Sequence, residues 1–294
     1  MPHTIVTWLA QTATARNYSF EVRDFVGNPE VQNISKKIGA RIFESYRDPE
    51  YLKSQFQNEN EEALFTYLES YVFPAKRDGS ANNITSIVKI GDFGEIISSE
   101  IVSRIDALEV PLKKMMWKVR NDKSMFCTDI FAHNTGENLT HLYYYEVKTR
   151  TTLSKDTTKR REGRFYVAVQ AHDAIKRDME SPHEHIADFL SRMYFENARL
   201  AENVPEEAEK LRSKSHKYAQ VVKNCGAFER HYRLCLILDK QGAFSEDVIS
   251  ELHNLPTEIN PLHIDLVLVE SLQTIISDSF KHAYTEARAF VFGG

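Results

Sequence analysis

Residues 143–149, YYYEVKT, combine the pattern of a buried β-strand with one carboxylate and one ammonium group. Successive strand residues point to opposite faces, so we expect Glu146 and Lys148 to share a face while Val147 turns into the core. A charged pair on an otherwise aromatic and apolar strand is costly unless both members have partners. The chain has no other Asp/Glu-x-Lys tripeptide, so this strand is the first candidate for a chemical site.

A second unexpected charge, Asp129, lies in the preceding strand-like run, Met125–His133. The Asn and Gly residues that follow favour a tight turn into the next strand, Leu139–Thr149. Such a hairpin brings Asp129 and Glu146 close enough to bind one divalent cation, and carboxylates are ligands that Mg²⁺ and Mn²⁺ prefer. Lys148 would position a metal-activated water or stabilise developing negative charge, which predicts a site for phosphodiester hydrolysis.

The segments around this hairpin predict a helix, a β-meander, a second helix and a further strand. Gly91–Glu95 (GDFGE) opens the first helix, whose apolar stripe has helical spacing. The stripe consists of Ile97, Ile101, Ile105 and Leu108. The meander comprises the runs Lys113–Arg120, Met125–His133 and Leu139–Thr149. Phe165–Met179 follows as a helix, and Arg233–Leu238 as a strand buried on both faces.

The rest of the chain predicts an N-terminal α+β segment, residues 1–80, and a larger domain, residues 84–294, that contains the hairpin. The N-terminal runs are strand-like at Thr4–Ala10 and Tyr18–Phe25 and helical at Val31–Tyr46 and Glu61–Tyr71. The polar stretch Pro74–Asn83 is the best candidate linker. Residues 184–224 predict a charge-rich helical insertion, broken at Pro205. The C-terminal runs predict a helix near Glu246–His253, a strand at His263–Val269 and a helix from Leu272 to about Arg288.

This element order, with Asp129 on the second strand and Glu146-x-Lys148 on the third, resembles the restriction-endonuclease-like PD-(D/E)xK nucleases. The GDFGE opening and the overall length further resemble the HamA nuclease subunits of the Hachiman anti-phage defence system. The resemblance covers mainly residues 84–240. It implies an α/β fold, a Mg²⁺- or Mn²⁺-dependent nuclease acting on DNA, and a superfamily 2 helicase subunit (HamB-like) as partner.

The resemblance also implies two further site residues. Members of this superfamily often take an acidic residue from the helix before the meander, and Glu95 matches that position. Some related nucleases carry a glutamine in the helix after the site, which corresponds to Gln170. Two positions depart from the family pattern. Thr128 stands where the motif has Pro, and Ala174 stands where the stricter glutamine motif has Tyr, so Gln170 carries less weight.

The segment from Lys148 to Arg164 holds seven basic residues against two acidic ones. It leaves the predicted site directly, where a phosphate backbone has to lie, and we expect it to contact DNA. A solvated loop is the alternative for any single residue. The predicted contacts are Arg150, Lys155, Lys159, Arg160, Arg161 and Arg164.

Simpler interpretations stay open for several of these residues. Glu146 and Lys148 could form an exposed strand pair, and Asp129 a carboxylate at a strand end or turn. Glu95 could complement the dipole in the first turn of its helix, with Asp92 as the cap. The pair His183-x-His185 and the cysteines lack the spacing of a closed zinc site and are interpreted as surface and core residues.

Composition limits the class of protein. With 294 residues, 42% of them hydrophobic, the chain can bury a sizeable core. Its formal net charge of -5 means that positive charge contacting a nucleic acid must be local. Three cysteines argue against a disulfide framework, and no apolar run is long enough to cross a membrane. We therefore expect a cytoplasmic protein without a signal peptide.

Two classes of function remain open at this stage. The favoured one is a metal-dependent DNA nuclease, the effector subunit of a two-component anti-phage complex with a helicase. The alternative is a non-catalytic subunit that keeps a nuclease-like fold for DNA binding or assembly. A small-molecule enzyme has little support, because the chain shows no Gly-rich phosphate loop and no nucleophile motif.

Overall fold

A six-stranded mixed sheet forms the centre of the fold. The computed structural model describes residues 4–12, 20–74, 82–118, 128–136, 138–153, 166–180, 184–241, 248, 259 and 262–293. The strands are β1 (Leu9–Thr12), β2 (Glu21–Gly27), β3 (Ile130–His133), β4 (His141–Arg150), β5 (Glu229–Asp239) and β6 (His263–Val269). Their order across the sheet is β1-β2-β6-β5-β4-β3. The four inner strands are parallel, and each edge strand pairs antiparallel with its neighbour.

Helices cover both faces of this sheet. The α-helices are α1 (Thr4–Trp8), α2 (Ile34–Tyr46), α3 (Pro49–Phe56), α4 (Glu61–Tyr67), α5 (Asn82–Glu100), α6 (Tyr166–Glu180), α7 (Glu184–Leu200), α8 (Pro205–Lys223) and α9 (Leu272–Phe292). Short π-helical turns extend α4 and α5 at Leu68–Val72 and Ile101–Ile105, and 3₁₀ turns lie at Lys114–Trp117 and Cys225–Ala227. A mixed α/β fold is therefore confirmed. Among the described helices, none is both long and apolar enough to span a bilayer.

The core has one part on each face of the sheet and a third under the α7–α8 hairpin. On one face, α2, α5 and α9 pack against residues such as Cys235 and Ile237 of β5. On the other face, α6 covers Leu234, Leu236 and Leu238. Burial of five consecutive residues on β5 follows from this double cover, and it confirms the predicted strand buried on both faces.

The N-terminal segment contributes to the same sheet. Strand β2 pairs in parallel with β6, with Glu21 opposite His263 and Val26 opposite Leu268. Hydrophobic residues of α1 and α2 lie in the same core cluster as those of α5 and α9. The predicted strand Thr4–Ala10 is wrong over Thr4–Trp8, which is helical. Most of the predicted linker, and the predicted helix near Glu246–His253 apart from Val248, lie outside the described residues.

Two predictions near the hairpin are wrong. The run Lys113–Arg120 is not a strand in its described part, because Lys114–Trp117 forms a 3₁₀ turn. That turn brings the amino groups of Lys114 and Lys118 to the half-buried Asp129 and the buried Asp92, which an extended strand at the surface could not do. The helix predicted to open at Gly91 begins earlier, at Asn82. The physical reason is that Gly91 faces open space, so its missing side chain does not interrupt the helix.

Helix α5 approaches β4 closely at Gly94. A Cβ atom on this residue would lie 1.9 Å from Thr149 Oγ1 and 3.2 Å from Val147 Cγ1. Both neighbours belong to the face of β4 that α5 covers, and Thr149 is buried. Glycine at this position therefore sets the distance between the helix and the hairpin.

The pair of glycines in α5 gives a matched test of this contact. We expect Gly94→Ala to destabilise the protein by about 1–3 kcal/mol, because the added methyl group overpacks the interface with β4. Gly91→Ala should instead be neutral or stabilise by up to about 1 kcal/mol, since alanine favours helix and meets no neighbour. Urea unfolding measures both changes. Equal effects of the two substitutions would contradict the close approach.

Candidate active site

The β3–β4 hairpin brings Asp129 beside the middle of β4. Ile130 is paired with Tyr145, so Asp129, one residue before β3, lies level with Glu146. Asp129 Oδ2 accepts a hydrogen bond of 2.8 Å from the backbone N–H of Val147. This contact ties the carboxylate to the strand that carries Glu146 and Lys148.

Glu146 and Lys148 lie on the same face of β4, and Val147 lies on the other. Lys148 Nζ donates to Glu146 Oε1 and forms an ion pair with it. Val147 is buried in the cluster beneath α5. Glu146 itself is buried, so the two residues do not form an exposed strand pair.

Glu95 reaches the site from α5, on the Val147 side of the sheet. Its Oε2 atom lies 3.6 Å from Lys114 Nζ and has no hydrogen-bond partner among the described residues. The first-turn interpretation of Glu95 and Asp92 is wrong, because α5 begins at Asn82. Asp92 is buried instead, and it accepts hydrogen bonds from Lys118 Nζ and the Tyr46 hydroxyl.

Lys114 was not singled out by the sequence, yet it lies between two of the predicted carboxylates. Its Nζ atom is 3.0 Å from Asp129 Oδ1 in addition to its contact with Glu95. Burial alone lowers the pKa of Lys114, but the charges of Glu95 and Asp129 outweigh that effect and raise it above its ordinary value. The ammonium group therefore stays charged and offsets part of the negative charge of this pair.

Asp178 is a second residue that the sequence interpretation missed. Thr128 Oγ1 donates a hydrogen bond of 3.1 Å to Asp178 Oδ2, so the residue in the motif's Pro position holds a further acid. The charge of Asp178 contributes to the raised pKa of Glu146. A signal existed: Gln170, Ala174 and Asp178 recur every four residues and share one face of α6.

The pKa values of Glu95 and Glu146 are raised because both carboxyl groups are removed from solvent without enough positive charge beside them. Burial first, and the charge of Asp129 second, raise the pKa of Glu95 to about 8. The same two causes raise the pKa of Glu146 to about 7, although Lys148 opposes them. Perturbed carboxylates grouped in this way are typical of functional sites.

A cavity of about 680 Å³ opens beside these groups. Glu95, Asp129 and Lys148 line it together with Arg150 and the threonines that follow β4. Arg150 Nη2 donates a hydrogen bond of 3.0 Å to Gln170 Oε1, which places the predicted glutamine next to the cavity wall. The other predicted DNA contacts, Lys155, Lys159, Arg160, Arg161 and Arg164, lie outside the described residues.

The donor set fits a hard divalent cation in its chemistry. Asp129 lies level with Glu146 and shares Lys114 with Glu95. One buried oxygen, Glu95 Oε2, lacks a hydrogen-bond partner in the part of the chain that is described. Oxygens of Glu95, Asp129 and Glu146 do not form a compact ligand group in which all lie within 4.8 Å of one another. Lys114 supplies the positive charge between two of them. A bound cation would relieve the repulsion that raises both pKa values.

Comparison with known proteins identifies one family whose model matches this chain. The family model described as HamA matches residues 3–283 of the chain. The match includes both the N-terminal strands and the hairpin that carries Asp129, Glu146 and Lys148. No curated protein matches the chain.

The raised pKa values predict how stability depends on pH in the metal-free protein. The folded state holds the Glu95 proton up to about pH 8, whereas the ordinary pKa of this group is 4.5. Between these two values the folded chain binds more protons than the unfolded chain. The free energy of unfolding should therefore fall as pH rises, by up to about 1.4 kcal/mol per pH unit for this group.

Glu95→Gln removes this titration and should flatten the fall. Urea unfolding in a chelating buffer at about pH 5, 6, 7 and 8 measures the slope. The exposed Glu62 on α4 provides the control, because Glu62→Gln should keep the wild-type slope. An unchanged slope in Glu95→Gln would show that another group carries the pH dependence.

Proposed function

The chain belongs to the HamA family, and we propose that it is a metal-dependent DNA nuclease, the effector of a Hachiman anti-phage complex with a helicase subunit. The observation that carries the proposal is the placement of Asp129 beside the Glu146–Lys148 pair, with Glu95 linked to Asp129 through Lys114. In chain order, α5, the β3–β4 hairpin, α6 and β5 agree with parts of the predicted restriction-endonuclease-like order, whereas the predicted first strand of the meander is a 3₁₀ turn over Lys114–Trp117. Fold order and site residues thus support the same class of reaction.

In this proposal Glu95, Asp129 and Glu146 hold Mg²⁺ or Mn²⁺. When bound, the ion lowers the pKa of a water and offsets charge on the scissile phosphate. The carboxylates must be ionised for this role, and the raised pKa values of Glu95 and Glu146 favour binding at neutral to alkaline pH, where these two groups lose their protons. Repositioning of Lys114 away from Asp129 would free Oδ1, while Oδ2 keeps its hydrogen bond from the Val147 N–H.

Lys148 is the proposed group that acts on the phosphate or the attacking water. Its pairing with Glu146 fixes the ammonium beside the carboxylates, and the side chain also lines the cavity. An ammonium held in this position stabilises negative charge that develops during hydrolysis. Arg150, positioned by Gln170 at the cavity wall, is suited to hold a neighbouring phosphate.

The helicase partner and the defence role rest on family membership. A nuclease without restraint would damage its own host, so we expect the partner to control cutting. A site in which Lys114 pairs with Glu95 and Asp129 suits such control, because the ammonium competes with a cation for these two carboxylates.

That same ion pair supports a second candidate function. If Lys114 keeps Glu95 and Asp129 permanently neutralised, the chain would serve as a non-catalytic DNA-binding or assembly subunit with a nuclease-like fold. The two functions differ in whether substitution of the site carboxylates abolishes cleavage and phage protection.

Cleavage of supercoiled and linear DNA tests the proposal. We expect cutting in Mg²⁺ or Mn²⁺, either by the chain alone or only after the helicase and ATP are added. No cutting is expected in EDTA. Glu146→Ala and Lys148→Ala should each lower the rate by about 100-fold or more, because each removes a group that acts on the reacting phosphate. Glu62→Ala and Lys37→Ala, exposed on α4 and α2, are the matched controls.

Each outcome has a distinct meaning. Cutting only with the helicase supports a nuclease under partner control. If the chain binds DNA but cuts it under no condition, and Glu146→Ala leaves phage protection unchanged, the non-catalytic subunit is favoured.

The basic segment after β4 gives a separate prediction about DNA binding. Neutralising Lys159, Arg160 and Arg161 together should weaken binding and reduce the slope of log K against log salt. The expected reduction is up to about 0.9 for each phosphate of duplex DNA that the variant no longer neutralises. Fluorescence anisotropy at several salt concentrations measures the slope.

The control removes the same amount of charge elsewhere. Lys36→Ala, Lys37→Ala and Lys210→Ala act on exposed residues of α2 and α8 and should leave the slope unchanged. Equal losses of affinity in the two triple variants would reduce the prediction to a net-charge effect.

A further inference from the structure

A second cluster of ligand-type side chains lies at the opposite end of β4 from Glu146 and Lys148. It consists of His141, Glu229 and His231, and one ligand atom from each lies within 4.8 Å of the other two. His141 begins β4, five residues before Glu146, which is about 16 Å along an extended strand. The cluster is therefore separate from the acidic site.

Strand register fixes the positions of the three residues. His141 is the direct neighbour of Glu229 in the parallel β4–β5 pair. His231 follows Glu229 by two residues, so both point to the same face of β5. The cluster thus depends on the backbone of two inner strands and not on loop conformation.

Each histidine lies at the distance from one oxygen of Glu229 that neighbouring ligands have in a tetrahedral metal site. His141 Nε2 lies 3.3 Å from Glu229 Oε2, and His231 Nε2 lies 3.3 Å from Glu229 Oε1. With metal–ligand bonds of about 2.0–2.1 Å, tetrahedral zinc ligands are about 3.3 Å apart. His231 Nε2 is buried and has no hydrogen-bond partner among the described residues. A cation between these atoms would give that nitrogen a partner.

Neighbouring groups hold both imidazoles in place. Thr140 Oγ1 lies 2.7 Å from His141 Nδ1, and accepting the Nδ1 proton leaves the Nε2 lone pair free for a metal. The ring of Tyr143 stacks on His231, with centroids 4.5 Å apart. The two histidine rings are themselves stacked, with an interplanar angle of 18°. Because the lone pairs of stacked rings lie in nearly parallel planes, one imidazole has to rotate before both Nε2 atoms bind the same ion.

From this geometry we infer that His141, Glu229 and His231 form a binding site for a divalent transition metal, with Zn²⁺ the best match. Two imidazoles and one carboxylate suit Zn²⁺, whereas Mg²⁺ prefers an all-oxygen set. Three protein ligands leave a fourth position for water or for a side chain of a bound partner. A bound ion would cross-link β4 and β5 at the end of the two strands that is remote from the acidic site.

Zinc binding is tested on the full chain carrying Asp129→Asn and Glu146→Gln, so that the acidic site does not contribute. We expect one Zn²⁺ per chain by calorimetry and elemental analysis, in the presence of excess Mg²⁺. Co²⁺ bound in its place should give the visible absorption of a four-coordinate site. Zinc should also raise the melting temperature.

Three substitutions probe the ligands within that background. His231→Gln and His141→Gln should each weaken Zn²⁺ binding by more than about tenfold, since loss of a ligand exceeds loss of its outer partner. Thr140→Val, which removes only the outer partner of His141, should weaken it by about tenfold. His216→Gln alters an exposed histidine on α8 and should have no effect. Unchanged urea midpoints without zinc show that each variant folds.

Two results would overturn the inference. Absence of Zn²⁺ binding, or binding that His231→Gln leaves intact, would reduce the cluster to histidine–carboxylate ion pairs. Because the readout is metal binding in a chain whose acidic site is disabled, these results are independent of DNA cleavage. The nuclease proposal can therefore fail while the zinc site stands, and the reverse also holds.

Discussion

Much of the local structure depends on how closely α5 lies against β4 at Gly94, where no Cβ atom fits beside Thr149. At that distance the residues flanking the glycine face the hairpin, and Asp92 and Glu95 become buried or nearly so. Buried carboxylates require hydrogen bonds or counter-charges. Lys114 and Lys118 supply them, which explains why Lys114–Trp117 winds into a 3₁₀ turn next to α5.

The two acidic residues of α5 differ in how fully hydrogen bonds and positive charges satisfy them. Asp92 has two donors, Lys118 and Tyr46, whereas Glu95 shares Lys114 with Asp129 and keeps one oxygen without a hydrogen bond among the described residues. Burial of an ion pair contributes little net stability, because desolvation offsets the attraction between the charges. An incompletely compensated acid next to a second and a third acid is therefore poorly explained by stability alone. It is the arrangement that a divalent cation would complete, and this is the physical content of the proposed nuclease site.

The sequence predicted well those features that depend on local periodicity. Strand β6 has the predicted bounds, β5 contains the predicted apolar run, and Glu146 and Lys148 share a face because strand side chains alternate. It predicted poorly what depends on partners distant in the chain. Lys114 fell within a predicted strand and was not singled out, since its partners come from α5 and from the residue before β3. The start of α5 was missed because Gly91 looks like a helix boundary, although it faces open space.

The register between β4 and β5 explains why one end of β4 was found from the sequence and the other was not. Glu146 and Lys148 are two residues apart, so their shared face is visible in the sequence alone. His141 and Glu229 become neighbours only when the β4–β5 pairing is known. The same parallel pairing places Glu146 beside Leu234 and Lys148 beside Leu236. Because these neighbours on β5 are apolar, the two charged side chains pair with each other. At the start of the β4–β5 pairing the neighbouring residues are polar, and both His141 and His231 contact the carboxylate of Glu229. In the two proposals β4 thus contributes one oxygen ligand, Glu146, to a site for a hard cation and one nitrogen ligand, His141, to a site for a softer cation, and the neighbouring residues of β5 differ accordingly.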